Sequence, residues 1–202
     1  MRKIDPVAHQ QRRRAILGAA VGLFAAQGFD KTSTAQICAA VGMSPGNLFH
    51  YFPSKRAIFH GIFELDRAEW DDALTAARAH PDPWAALMGV VDKIAAESAD
   101  PMVAGLMVEV LAQAHHDEQF AQVLAENDRR LAQGIADLIE SAAAQGIIDA
   151  QLAPTVVARW IVILTDGLYG RGYPEPDIDR ATDVDTVKVL ITRILRLRSK
   201  AP

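Results

Sequence analysis

Between Thr32 and Arg56 the chain reads TSTAQICAAVGMSPGNLFHYFPSKR, in which two helix starts, one glycine turn and an aromatic cluster follow one another without a spacer. Ser33 can accept from the free N–H groups of a first turn, and Gln36, three residues on, can reach back in a capping box. Ile37, Ala40 and Val41 then fall on one helical face. Gly42 has no Cβ and can adopt the left-handed conformation that ends a helix. Ser44-Pro45 follows at once: an N-cap, then a proline at the first helical position, where its missing N–H costs nothing. Leu48 and Phe52, four apart, form the buried side of this second helix, leaving Pro45, Gly46, Asn47, Phe49, His50 and Tyr51 outside or at its edges. Cys38, within the first helix, is expected to be a small buried hydrophobe. Two short helices joined by a tight turn form a helix-turn-helix, in which the second helix can lie in the DNA major groove.

The pattern T-x-x-I-x-x-x-x-G-M-S-x-G-x-L-F-x-Y-F-x-S-K resembles the N-terminal domain of the tetracycline-repressor-like (TetR) family of bacterial transcription regulators. The resemblance implies that Thr34 binds a phosphate, that Ser44, Pro45, Gly46 and Asn47 present the second helix to the bases, and that Tyr51 and Lys55 contact the DNA backbone. Where the family commonly carries a tyrosine, this chain has Phe49, which lacks the hydroxyl and can instead meet a thymine methyl. His50 completes the expected DNA-binding set. The segment from Met107 through Asp166, especially FAQVLAENDRRL and LTDGL, is similar to the sensor domain of the betaine-regulator branch.

The rest of the chain reads as helix throughout. A helix from about Ala8 to Gln27, ended by Gly28, supports the reading pair, preceded by a loosely ordered charged arm from Met1 to Val7. Ser54 caps a long helix from Lys55 to about Ala79, and helices follow near residues 84–98, 102–115, 117–145, 154–172 and 184–198. The expected architecture is all-α with about nine helices: a helix-turn-helix domain over residues 8–54, joined by the long helix to a ligand-sensing and dimerisation domain over 55–200. Phe63, Trp70, Trp84, Met88, Met107 and Leu111 supply large apolar surface for a mostly apolar effector, with Asp166 as its polar contact; a plain core is the competing reading. Asp166 could equally form an ion pair with an arginine. Trp160, Leu164, Leu168, Val187, Leu190, Ile191, Ile194 and Leu195 form stripes wider than one neighbour needs. Resemblance assigns them to a homodimer seam; the apolar excess alone asks only for some partner.

Charge narrows the partner. Residues 1–60 hold eight Lys or Arg against two Asp, whereas residues 61–202 hold thirteen against twenty-three acids. Only the N-terminal part suits a polyanion. One cysteine excludes an intramolecular disulfide and fits a reducing cytoplasm. Arg12-Arg13-Arg14 before AILGAAVGLFAAQG mimics a secretory leader, yet its removal would strip the helix on which the reading pair packs. No stretch approaches the ~20 apolar residues of a membrane span. No phosphate-binding glycine loop, H-E-x-x-H, nucleophile elbow or paired-carboxylate motif is present, so no catalytic residues, metal or cofactor are expected. Glu64, Asp66 and Glu69 read as a solvated or ion-paired face with Arg67. His115-His116 reads as a helix end. The expected function is a cytoplasmic homodimeric repressor, released from an inverted-repeat, double-stranded DNA operator by a small molecule. A constitutive DNA-binding protein without effector and a helical enzyme with a DNA-binding module are the rivals.

Overall fold

The computed structural model describes residues 5–98, 100–149, 151–171 and 179–196, and nine helices lie among them. In order they are α1 (Pro6–Gln27), α2 (Thr34–Ala40), α3 (Pro45–Tyr51), α4 (Lys55–Arg78), α5 (Pro83–Ser98), α6 (Pro101–His116), α7 (Glu118–Ala144), α8 (Pro154–Arg171) and α9 (Arg180–Leu195). No strand occurs among the described residues. The expected arm is shorter than its sequence suggests. Asp5 accepts from the N–H groups of Val7 and Ala8, so α1 begins at Pro6; the first four residues lie outside the described set. The last helix begins earlier than Val184 because Asp179 caps it at Thr182, and it stops at Leu195, where Arg196 turns left-handed.

Two apolar clusters organise these helices. The first joins Ile16, Leu17, Ala20 and Phe24 of α1 to Ile37 and Cys38 of α2, Leu48 and Phe52 at α3, and Ile58, Phe59, Ile62 and Phe63 of α4. It also takes in Leu106 and Val110 of α6 and Phe120 of α7, so this core crosses the expected domain boundary at residue 54. The second holds Leu74 of α4, the inner faces of α5 and α7, Val157, Ala158 and Ile161 of α8, and Val187, Ile191 and Leu195 of α9. The long helix α4 is shared by both.

Glycines set the closest helix contacts. A Cβ on Gly61 would meet Phe52 at 2.8 Å, and one on Gly105 would meet the Ala25 carbonyl at 3.0 Å. The second approach lets α6 lie directly on α1, which brings a helix of the C-terminal half against the support of the reading pair.

Candidate nucleic-acid interface and C-terminal cavity

The reading pair is built by the local interactions its sequence announces. The Gln36 N–H donates to Ser33 Oγ at 3.2 Å while the Ser33 N–H donates to Gln36 Oε1 at 2.8 Å, closing the capping box. Gly42 has φ +63°, and the Met43 N–H donates back to the Cys38 carbonyl at 2.9 Å. That left-handed step turns the chain so that Ser44 can cap α3, its Oγ accepting from the Asn47 N–H at 3.4 Å. Leu48 and Phe52 are buried; Ser44, Pro45, Gly46, Asn47, Phe49 and His50 are exposed, and Tyr51 and Thr34 are half-buried.

A concave groove of about 540 Å³ runs along this face, lined by Gly42, Met43, Ser44, Asn47, His50 and Tyr51 together with His9 and Arg12 of α1. The His9 ring stacks on Tyr51 at 4.7 Å. His9 and Arg12 were not expected at the interface; the Arg12-Arg13-Arg14 run was the available signal, but successive residues on a helix point about 100° apart. Arg12 alone of the three lines the groove. Arg13 instead donates to the Tyr51 carbonyl at 3.4 Å, sits 4.4 Å over the Phe52 ring and pairs with Glu64 at 3.6 Å, while Arg14 pairs with Glu69 at 3.7 Å. Glu64 and Glu69 of α4 therefore pair across helices with α1 rather than with Arg67.

Lys55 requires a correction. Its Nζ donates to the carbonyls of Phe29 at 2.6 Å, Thr32 at 2.8 Å and Asp30 at 3.4 Å, and lies 4.3 Å from the Phe29 ring centre. The ammonium is committed to the α1–α2 loop, so its geometry is that of a loop clamp and not of a phosphate contact. The same loop is gripped from the other side by α6, where Glu109 Oε2 accepts from the Phe29 N–H at 2.8 Å. Glu109 lies eighty positions from Phe29, and nothing local in the sequence marks it.

The expected ligand-binding set does not converge. Phe63 belongs to an aromatic cluster with Phe59 and Phe120, its neighbours' ring centres lying 4.9–5.4 Å away, and is buried core. Trp84 and Met88 pack against the second cluster and Met107 against the first, whereas Leu111 is 69% exposed. Trp70 borders a small cavity of about 80 Å³ between α4 and α7, shared with Asp66, Asn127 and Asp128. The larger cavity, about 450 Å³, lies between α7 and α8 and contains only Asp166 of the expected set. Its walls are Asp128, Arg129, Ala132 and Gln133 from α7, and Thr155, Arg159, Val162 and Ile163 beside Asp166 on α8. Charged groups thus border a cavity whose exposed lining is otherwise largely apolar. Partial desolvation raises the Asp166 carboxyl to about 6, with the Asp128 charge adding to the rise, and Asp128 is itself pushed upward by burial. Both stay open to water through the cavity mouth while protein atoms crowd them from the walls. Among the described residues Asp166 has no arginine partner.

Residues 16–62 match the family described as bacterial regulatory proteins, tetR family, and residues 83–196 match the BetI-type transcriptional repressor C-terminal family. The chain belongs to the TetR family. Its members are DNA-binding transcriptional regulators rather than enzymes, and so is this protein. The HTH-type transcriptional regulator UidR of Escherichia coli K12 is 27% identical over 160 residues, which span 79% of this chain and 80% of UidR. An HTH-type transcriptional repressor of Mycobacterium tuberculosis is 29% identical over 161 residues, 79% of this chain and 81% of its own. Among solved structures, Salmonella enterica GusR superposes with a TM-score of 0.72 at 27% identity, covering 97% of this chain and all (100%) of GusR. A TetR transcription regulator from Haloarcula marismortui shares the fold at a TM-score of 0.79 and 17% identity, over 94% and 100% of the two chains.

The expected dimer residues of this TetR-family regulator divide into two sets. Trp160, Leu190 and Ile194 are exposed, as are Val156, Ile163 and Val189 beside them. Val187, Ile191 and Leu195 are buried within the chain's own second cluster, and Leu164 and Leu168 pack against it. Val187, Ile191 and Leu195 are corrected from seam to core, since the α9–α5 contact already covers that side of α9, whereas Leu164 and Leu168 are only partly buried. His115 and His116 lie exposed at the end of α6, their ring centres 4.8 Å apart.

A second link between the halves of this regulator is titratable. Asp117 caps α7, accepting from the Phe120 N–H at 3.0 Å, and faces Arg56 and His60 of α4, the His60 Nε2 at 2.9 Å. Burial pushes its carboxyl up, but the Phe120 N–H, Arg56 and His60 outweigh that and hold it at about 2, below its ordinary 3.8. A depressed carboxyl contributes stability that is complete above its ordinary value and disappears as pH falls through the folded value. Asp117→Asn, which keeps a capping side chain, is expected to unfold at lower urea than the parent by a constant margin above pH 3.8, the margin shrinking toward pH 2. A margin independent of pH down to about 2 would show that the charge of Asp117 is not stabilising.

Proposed function

We propose that the protein is a cytoplasmic homodimeric repressor that binds an inverted-repeat operator and is released by a small molecule held in its C-terminal helices. The observation that carries this reading is the double grip on the α1–α2 loop. Lys55 at the start of α4 and Glu109 on α6 fix the backbone from which α2 and α3 hang, and both helices continue into the C-terminal half. A displacement of α4 or α6 therefore tilts the reading pair, and in a two-fold dimer a change in the spacing of the two α3 helices is enough to weaken an operator contacted at both half-sites. The apolar stripe of Val156, Trp160, Ile163, Leu190 and Ile194 supplies the self-complementary face that such a dimer requires. The repressor reading also agrees with the name of the mycobacterial relative. No helix among the described residues is long and apolar enough to cross a membrane.

The test is selection of binding sites from random duplex DNA, followed by mobility-shift titration of the winner. The expected product is an inverted repeat with half-sites about one helical turn, ~34–36 Å, or more apart, occupied by two chains. Glu109→Ala, remote from DNA, is expected to weaken that complex because the loop loses one of its two anchors. Failure to enrich any site, or occupancy by single chains, would overturn the reading.

A further inference from the structure

The two ends of the α7–α8 cavity carry opposite charge, and among the described residues neither end has an ion-pair partner. At one end Asp128 and Asp166 face each other from the two helices, closely enough for the charge of Asp128 to disfavour ionisation of Asp166. Among the described residues neither carboxylate forms an ion pair or accepts a hydrogen bond. On the far side of Asp128, Asn127 directs its Nδ2 to the Phe63 carbonyl at 3.3 Å, while its Oδ1 is buried without a donor. That oxygen belongs to the neighbouring α4–α7 cavity, so the corner of the α7–α8 cavity itself is made by the two carboxylates, Asp128 and Asp166. Arg129, next to Asp128, does not neutralise it, because its guanidinium is held by Glu126 at 2.8 Å and by the Ala125 carbonyl at 3.1 Å. Arg159 lines the other end, seven residues and two helical turns before Asp166, about 10 Å along the helix. It has no carboxylate partner among the described residues. Ala132, Val162 and Ile163 form the apolar wall between the two ends.

We propose that this cavity binds an extended amphoteric molecule, with an N–H-bearing ammonium between Asp128 and Asp166, a hydrocarbon body along Val162 and Ile163, and a carboxylate on Arg159. This assignment rests on the reading of the C-terminal half as an effector domain and names the chemical class of the effector. The volume of about 450 Å³ suits such a ligand. An ammonium there supplies the donors that the two carboxylates lack and relieves the repulsion between them; a quaternary ammonium would relieve the charge without supplying N–H groups. The carboxylate answers the guanidinium in the fork geometry that favours arginine for this role.

The experiment is calorimetric titration of the full-length protein with ε-aminocaproate, with hexylamine and caproate as its two halves, and with its N-acetylated form. The amphoteric probe is expected to bind at least about tenfold more tightly than either half or the blocked amine. Asp166→Asn should abolish its advantage over caproate, and Arg159→Gln its advantage over hexylamine, each leaving the other half's affinity unchanged. Both side chains are exposed, and circular dichroism of each variant serves as the check on its folding. Affinity for the amine should fall as pH drops through about 6, where Asp166 takes up a proton while Arg129 and Arg159 keep their charge. Halves that bind as tightly as the whole, variants without effect, or no saturation by any probe at millimolar concentration would overturn the proposal. Operator release is measured in parallel. Amphoteric binding that leaves the operator complex intact upholds the site and removes the effector reading, whereas release by a compound indifferent to both substitutions retains that reading and overturns the site.

Discussion

Leu195→Asp is expected to leave no folded protein, whereas Leu190→Asp, five residues earlier on the same helix, is expected to give a folded monomer. Leu195 is 0% exposed and packs with Val187 and Ile191 against the core of α5, α7 and α8. A carboxylate there has no cationic partner, and an uncompensated buried charge costs several kcal/mol, most of the ~5–15 kcal/mol that holds an ordinary domain together. Leu190 points away from that core and is 39% exposed, so its substitution removes no internal contact of comparable size. Its effect is expected only at the proposed dimer seam, with Trp160 and Ile194. Circular dichroism should report helix loss for Leu195→Asp alone, and sedimentation should report the parent as a dimer and Leu190→Asp as a monomer. A Leu190→Asp dimer would place the seam on another face.

The second large contrast lies in the reading domain. Lys55→Met keeps the length of the side chain but removes the ammonium that satisfies the Phe29 and Thr32 carbonyls. Hydrogen bonds to a charged group contribute about 1.5–3 kcal/mol each, so the variant should lose several-fold more stability than any substitution on the exposed face of α3. Operator binding should then weaken for all sequences together, through a loosened α1–α2 loop. Asn47→Ala is expected to behave in the opposite way: unchanged unfolding, and a preference relaxed at one base position by ~1–3 kcal/mol. Thermal unfolding and titration against single-base operator variants separate the two. If Lys55→Met melts with the parent and loses only DNA affinity, the clamp is not structural and the lysine reaches phosphate after all.

The two contrasts divide along what can be read locally. The Ser33 box, the Gly42 turn, the Ser44-Pro45 start and the Ser54 cap are interactions among residues at most five apart, and each stands in the structure where its sequence pattern places it. Their physics needs no knowledge of the rest of the chain: a side-chain oxygen, a missing Cβ or a fixed proline φ acts on its own turn. The burial of Leu48, Phe52 and Cys38 was legible for the same reason, since a short helix can turn only one face inward. Periodicity likewise marked the number of helices and their order.

Only tertiary structure decided which apolar residues are core and which remain outside. On α9, Leu190 and Ile191 are neighbours of equal hydrophobicity, yet one is 39% exposed and the other 0%, because the helix's rotation against α5 is set by packing and not by its own composition. The same holds for the expected ligand set. Phe63, Trp84 and Met88 are large enough to line a pocket, but close packing fills the space around them with other side chains, and the vacant volume falls instead between α7 and α8. Lys55 and Glu109 meet across the α1–α2 loop from helices far apart in the chain, so neither role has a local signature. Sequence alone marked the helices, the caps and turn of the reading pair and its exposed face, since these depend on interactions within one or two turns. The fold decided the clamp, the cavity and the free apolar stripe, because each is defined by what a distant helix covers or leaves uncovered.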